Sequence, residues 1–396
     1  MAIGYLLSAP LAIAKTHRVN TREKIIHAIQ IAKPGDTIAI APGTYRGSYF
    51  FENIQGTAKA PITITAQNPK APPLFHGRFK TKEAIHLVAC RYITLSHLHI
   101  TQFTDNGINI DDGLPRQRSA IGIKLSHLKI SKIGPRGNHD AIKLSGVKNF
   151  TLQNITITQW AGSGIDMVGC AQGSIDQMTF IGDPKYSPAN AIQTKGGSRQ
   201  ISITRSFFKN TGHRAINLGG HTGKQFFRPL NATYEAKAIT VAGNRFLGAQ
   251  APIAFASSTQ CLVHHNTIIN PQKWIIRILQ DNTDQRILQC QNSTFSNNLV
   301  YYNAKVKTIV NVGRNTKPHT FTFKRNAWYQ FNSLSIPTLP TVEIQGLYLV
   351  NPKIINPLTA HASIGSKDKR FIGIGAQYYQ HKKEAQAHQP ENQSEK

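Results

Sequence analysis

One unit recurs through most of the chain and constrains the fold more than any other feature. It is an alternating apolar strand, a polar turn residue and a second short apolar element. It appears as RYITLSHLHI (91–100), IGIKLSHLKI (121–130), KNFTLQNITI (148–157), AQGSIDQMTF (171–180) and RQISITRSFF (199–208). It continues as AKAITVAGNRF (236–246), QCLVHHNTI (260–268), NSTFSNNLV (292–300) and HTFTFKRNAW (319–328). The last apolar residues of these units are spaced 30, 27, 23, 28, 38, 22, 32 and 28 apart. A further short strand follows most of them: GINI (107–110), AIKL (141–144), GIDM (164–167), AIQT (191–194), AINL (215–218), PIAF (252–255), IIRI (275–278) and TIVN (308–311). Period-two strands rich in Ile, Thr, Val and Phe fit a pleated, half-buried surface. Three short strands per unit mark a parallel β-helix, an all-β solenoid whose coils bury their inward side chains against one another. The competing architecture is an antiparallel sandwich or barrel. Hairpin dipeptides are scarce between these strands, which disfavours it.

The remaining segments fit a single elongated domain over about 15–379. Helical periodicity is confined to Thr21–Ala32 (TREKIIHAIQIA), which is expected to cap the N-terminal end. Asn154, Asn244, Asn266, Asn298 and Asn326 fall in one turn of successive units, so a stacked asparagine ladder is expected. YLVNPKIIN (348–356) and ASIGSKDKRFIGIGAQYY (362–379) read as closing coils. Residues 1–14 read as a possible signal-peptide remnant, an apolar run ending in Ala12-Ile13-Ala14 without a basic stretch before it. A secreted or periplasmic monomer is the matching expectation. Residues 380–396 hold no large apolar residue and read as a disordered tail.

Composition narrows the partner. Forty-six Lys and Arg face 19 Asp and Glu, a net charge of +27. Such a field favours an anionic partner: nucleic acid, an anionic membrane surface or an acidic polysaccharide. No nucleic-acid recognition motif occurs and the positive charge is dispersed, so nucleic acid is not expected. No window approaches the apolar length of a transmembrane helix. The four cysteines, Cys90, Cys170, Cys261 and Cys290, are too scattered for a disulfide scaffold and form no CxxC pair.

The segment TREKIIHAIQIAKPGDTIAIAPGTY resembles the opening of chondroitinase B and the alginate lyases of polysaccharide lyase family six. These belong to the right-handed parallel β-helix, pectate-lyase-like superfamily. The block 193–229, with YEAKAITVAGNRF (234–246), also resembles bacterial right-handed β-helix repeat proteins of poorly defined function. The fold resemblance covers about 20–379; the active-site resemblance covers about 185–230.

Aligning the second strands on Ile142, Ile165, Ile192, Ile216, Ile253 and Ile276 gives an outward column of Lys143, Asp166, Gln193, Asn217, Ala254 and Arg277. A second outward column reads Asp140, Ser163, Asn190, Arg214, Ala251 and Trp274. A third reads Ser145, Val168, Lys195 and Gly219. Polar residues collected this way fit β-elimination of a uronate polymer. That reaction needs a cation to offset the sugar carboxylate, a base for the α-proton and an acid for the leaving oxygen. The resemblance implies that a Lys on this strand is the base, assisted by an Arg one coil later. Lys195 and Arg214 stand at those positions. They are expected to lean toward each other across Gln193 and Asn217. The resemblance also raises calcium, held by two carboxylates shortly before that Lys. Pro188 and Asn190 occupy the matching positions, so no metal is expected, and Arg214 and Lys143 would neutralise the substrate instead.

His213 and His221 are candidate acids or bases, or simply solvated. Arg228 is a candidate carboxylate ligand, with Phe226 and Phe227 packed beneath a loop. Tyr234 and Glu235 would supply an acid, or a bond to Arg214, or would staple a loop. Trp274 and Arg277 would extend a sugar groove or pack at an edge. Asp111-Asp112-Gly113 reads as a turn. Three functions stay open. The first is a polysaccharide lyase acting on an acidic glycan. The second is a non-catalytic glycan- or surface-binding protein. The third, less favoured, is a polygalacturonase-like hydrolase, which needs paired carboxylates. Residues 140–240 hold five acids against eleven Lys and Arg, and the hydrolase signatures NTD, DD, GHG and RIK do not occur together.

Overall fold

The computed structural model describes residues 13–113, 119–186, 188–333 and 335–380. The expected leader, apart from Ile13 and Ala14, and the expected tail from 381 onward lie outside them. The strands stack into three sheets of 13, 10 and 12 strands. The chain visits the three in turn, so each strand pairs with its equivalents one coil before and one coil after. The first sheet runs from Thr16–Val19 to Thr322–Lys324, the second from Tyr49–Glu52 to Val310–Val312, and the third from Thr44–Tyr45 to Leu347–Tyr348. All of this pairing is parallel, the arrangement of a β-helix. Among the described residues the one antiparallel strand pair is Ile354–Ile355 with Ser363–Ile364. No helix in them is long and apolar enough to cross a membrane.

The inward columns explain why the coils stay in register. Ile142, Ile165, Ile192, Ile216, Ile253 and Ile276 are direct partners in successive coils, and all are fully buried. A one-residue slip would turn each of them outward, at about 2 kcal/mol per side chain. In the third sheet Phe180, Phe208 and Phe246 stack with ring centroids 5.0 and 4.8 Å apart.

The turn from the first sheet to the third is two residues long in nine successive coils, from His97-Leu98 to Arg325-Asn326. Its first residue always has positive φ, and its second is always buried. The second residues are Leu98, Leu128, Ile155, Met178 and Ser206, then Asn244, Asn266, Asn298 and Asn326. These four asparagines form the ladder. The side-chain carbonyl of Asn266 accepts from the backbone and side-chain N–H groups of Asn244, Asn298 does the same for Asn266, and Asn326 for Asn298. Glu343 ends the run by accepting from Asn326. Asn154 is not a rung. It takes the positive-φ position one residue earlier, where its side chain meets His127.

A helix covers Arg22–Ile31, with the Thr21 hydroxyl accepting from the Lys24 N–H. Its Ile25, Ala28 and Ile29 join the main core. At the other end the expected closing coils do not form beyond Leu347–Tyr348. The chain turns back along earlier coils instead: Ala362 O accepts from Arg245, Gly375 N–H donates to Asn297 O, and Ala376 N–H donates to Thr267. Ile364, Phe371 and Ile374 pack there against Leu299 and Ala327. All four cysteines are free and buried.

Candidate functional site

The second sheet carries the site. Its outward face presents two adjacent columns. One reads Phe50, His86, Asn109, Lys143, Asp166 and Gln193 from coil to coil. The other reads Glu52, Val88, Asp111, Ser145, Val168 and Lys195. Over these columns lies a cavity of about 750 Å³, bounded on one side by His221, Thr222, Gly223, Phe226 and Arg228. Gln193 is left just beyond it.

Two ammonium groups and two carboxylates form one end of the floor. Lys143 Nζ lies 3.1 Å from both Asp140 Oδ2 and Asp166 Oδ2. Lys195 Nζ lies 3.1 Å from Asp166 Oδ1. That second contact is an ion pair not aligned as a hydrogen bond, so Asp166 Oδ1 is buried without a hydrogen-bond donor. Asp140 and Asp166 are almost fully buried, whereas Lys143 and Lys195 are 32% and 17% exposed. Burial lowers the Lys143 pKa, but the Asp166 and Asp140 charges outweigh it and hold the ammonium above its ordinary range.

The other end centres on His86. Its Nε2 lies 2.6 Å from Asp111 Oδ2 and its Nδ1 lies 3.2 Å from Glu83 Oε2. Burial opposes the charged ring, yet the two carboxylates raise its pKa to about 9. The imidazole is therefore a fixed cation at neutral pH. Glu83 also accepts from Asn106 and Asn109, and Asp111 from Gly113 N–H. Phe50 meets the imidazole edge-on at 5.2 Å.

The wall is the 16-residue loop 220–235, which follows the Arg214–Gly219 strand. Three ties fold it back over the floor. Arg228 grips Asp112 through Nε and Nη2, both at 2.6 Å. Its backbone N–H donates to Gly196 O. The fully buried Glu235 accepts from Gly196 N–H, from the Thr222 N–H and hydroxyl, and from the Asn282 side chain. Glu235 thus holds the turn after Lys195 and the wall residue Thr222 together. The Arg228 arm lies so close to the coils that a Cβ on Gly169 would come within 2.4 Å of its own Cβ. Both Gly146 and Gly169 have positive φ at these crossings.

Several expectations are corrected here. Lys195 and Arg214 do not lean together. Lys195 turns back to Asp166 one coil earlier, whereas Arg214 donates to Asp281 Oδ2 at 2.9 Å and does not line the cavity. Arg228 lines the cavity, but its fork is already filled by Asp112. Phe227 is buried, whereas Phe226 is half exposed at the cavity wall. Asp111 and Asp112 are not a plain turn: one holds His86 and the other holds Arg228. Glu235 bonds to the loops, with no contact to Arg214 among its hydrogen bonds.

Lys143, Asp166, Lys195, His221 and Arg228 are brought together at the cavity. Asn190, Gln193 and Asn217 are not; their amides bond to Ser163, to each other's column and to Gly219 O. His213 is exposed and apart from it. Arg277 stacks on Trp274 at 4.3 Å and donates to Asn311, also outside. Phe50, Glu52, Glu83, His86 and Asn109 were not anticipated. The signal was present: Asn109 follows Ile108, and His86 follows Ile85, as Lys143 follows Ile142.

The donors do not suit a calcium ion. Asn190 is committed to Ser163 and Gln193, and the gap between the two nearest carboxylates is filled by the Lys143 ammonium. Among the described residues no three His, Cys, Asp or Glu side chains converge as a metal site.

No protein-family model and no curated protein matches the chain. Solved structures do. The alginate lyase of Paenibacillus sp. str. FPU-7 is similar with a TM-score of 0.55 at 17% identity, over 76% of this chain and 97% of that one. The A-module of the Azotobacter vinelandii mannuronan C-5 epimerase is similar with a TM-score of 0.53 at 9% identity, over 85% and 95%. The fold is the right-handed parallel β-helix. A PL6 family alginate lyase also matches, at TM-score 0.47 and 15% identity, over 92% of this chain and 57% of that one.

Proposed function

We propose that the chain binds an acidic, uronate-containing glycan in this cavity and cleaves it by β-elimination. The observation that carries this is the pair of ammonium groups sharing Asp166 on the cavity floor. Lys143, held protonated, offsets the uronate carboxylate and acidifies the neighbouring proton. Lys195, at the cavity edge, takes that proton. It acts as the neutral amine, with Asp166 keeping its contact to Lys143. His221, exposed on the wall, protonates the leaving oxygen. Arg214 has no part. The two solved structures with TM-scores above 0.5 are named as an alginate lyase and a mannuronan C-5 epimerase. Elimination and C-5 inversion of a uronate both begin by removing the proton beside the carboxylate.

The test is incubation with alginate, chondroitin, dermatan, pectate and bacterial exopolysaccharides, following the absorbance of unsaturated uronate ends. Lys195→Ala is expected to abolish the signal while glycan affinity falls less than tenfold. Near-normal turnover by that variant on a cleaved substrate rules out Lys195 as the base. One observation favours a second reading, a glycan-binding protein without catalysis: every cation lining the cavity already has a carboxylate partner. Tight glycan binding by the wild type with no absorbance change selects it.

A further inference from the structure

The outward face of the second sheet continues past the cavity. Beyond Gln193 its column reads Asn217, Ala254, Arg277 and Asn311. Ile276 and Ile278 are buried on either side of Arg277, so its side chain leaves the coil on the same face as Lys143 and Lys195. The strands of this sheet carry five cations: His86, Lys143, Lys195, Arg214 and Arg277. The first four each meet a carboxylate. Among the described residues Arg277 has no carboxylate partner. Asp281 is bonded to Arg214 instead. Burial, and then the Arg214 charge, hold the Arg277 pKa below the ordinary arginine range in spite of Asp281. A partly buried guanidinium without a counter-ion is costly, and an anion from outside the chain would supply what is missing.

The guanidinium is also held in place. Its Nε donates to Asn311 Oδ1 at 2.9 Å, and its carbon lies 4.3 Å from the centre of the Trp274 ring. Nη1 and Nη2 donate to nothing in the chain. A planar fork fixed in this way presents the paired N–H groups that a carboxylate accepts bidentately. Lys273 adds to the charge. Its ammonium lies 4.3 Å from the same ring, is exposed, and likewise has no carboxylate partner among the described residues. One indole therefore gathers two unpaired cations, which repel each other until an anion offsets them. The coil of Arg277 is the third after the coil of Lys195. At about 4.8 Å per coil the separation is roughly 14 Å, within the span of one oligosaccharide.

We infer that Arg277, with Lys273 beside it, is a second carboxylate subsite, taking one uronate of a glycan chain that has another ring at Lys195. This rests on the proposed uronate site and extends it along the solenoid. The test is calorimetric binding to Lys195→Ala of trisaccharides and octasaccharides from polymannuronate, polyguluronate, polygalacturonate and chondroitin. For the polymer that binds, the octasaccharide is expected to be tighter than the trisaccharide by about tenfold, the worth of one charged hydrogen-bonded contact. Adding Arg277→Gln is expected to remove most of that advantage and to move the trisaccharide by less than about twofold. Arg277→Lys keeps the charge and the aliphatic stem but not the fork, and is expected to lose part of it. An octasaccharide no tighter than the trisaccharide overturns the subsite. So does an octasaccharide unaffected by both substitutions, or an equal loss at both lengths. Wild-type absorbance separates the two claims. A length-dependent loss without unsaturated product defeats elimination and leaves the subsite standing. Product formation with no length-dependent loss does the reverse, and failure of every fragment to bind defeats both.

Discussion

Lys143 is a side chain whose removal would leave two nearly buried carboxylates facing each other. Breaking a buried pair from one side costs about 3–5 kcal/mol, because the stranded charge is not rehydrated. Lys143→Ala is expected to lose a sizeable part of this in urea unfolding, less because Lys143 itself is a third exposed. It would also vacate the space between Asp140 and Asp166. Calcium at millimolar concentration is then expected to raise the melting temperature of the variant and leave the wild type unmoved. Equal responses would show that the ammonium does not occupy a cation position. His86 gives a second expectation, from pH. Its folded pKa of about 9 lies above the ordinary 6.5, so the native state holds the proton more tightly. The stabilisation is full below about pH 6.5 and fades as the pH rises through 9. Unfolding free energy should fall across that window by on the order of 2 kcal/mol, and His86→Gln should flatten the fall.

The 220–235 loop is the element on which the cavity depends. Its contact with the floor at Asp112 spans 116 residues of sequence. Arg228→Ala removes both guanidinium bonds to Asp112 while leaving the coils beneath intact. Amide exchange in 220–233 is expected to speed up, with the strands Pro188–Lys195 and Arg214–Gly219 still protected. Loss of protection in those strands would mean that the clamp supports the solenoid and not only the wall. The same element marks where sequence reading stopped. Strand columns were legible because period two and the recurring Ile fix which residue points outward, so Lys143, Asp166 and Lys195 could be placed coil by coil. The partners of Arg214, Arg228 and Glu235 were not. Asp281, Asp112, Thr222 and Asn282 sit in loops whose path no short-range pattern encodes, and long side chains reach whichever charge those loops deliver.

At the scale of the molecule, a strongly cationic chain folds around a cleft lined by carboxylates and cations together. The surface field draws polyanions from a distance, whereas contacts inside the cleft decide which ones stay. The coil also separates what is fixed from what is free. The corner between the first and third sheets admits two residues in nine coils running, while the corner after the second sheet admits two residues after Lys195 and sixteen after Gly219. Additions to the chain can therefore accumulate along the seam after the second sheet without disturbing the stacking. That seam borders the cavity. Transplanting a different 220–235 segment between Gly219 and Ala236 would reshape the cleft as one replaces a jaw on a vice, with the bed of the tool left as it was.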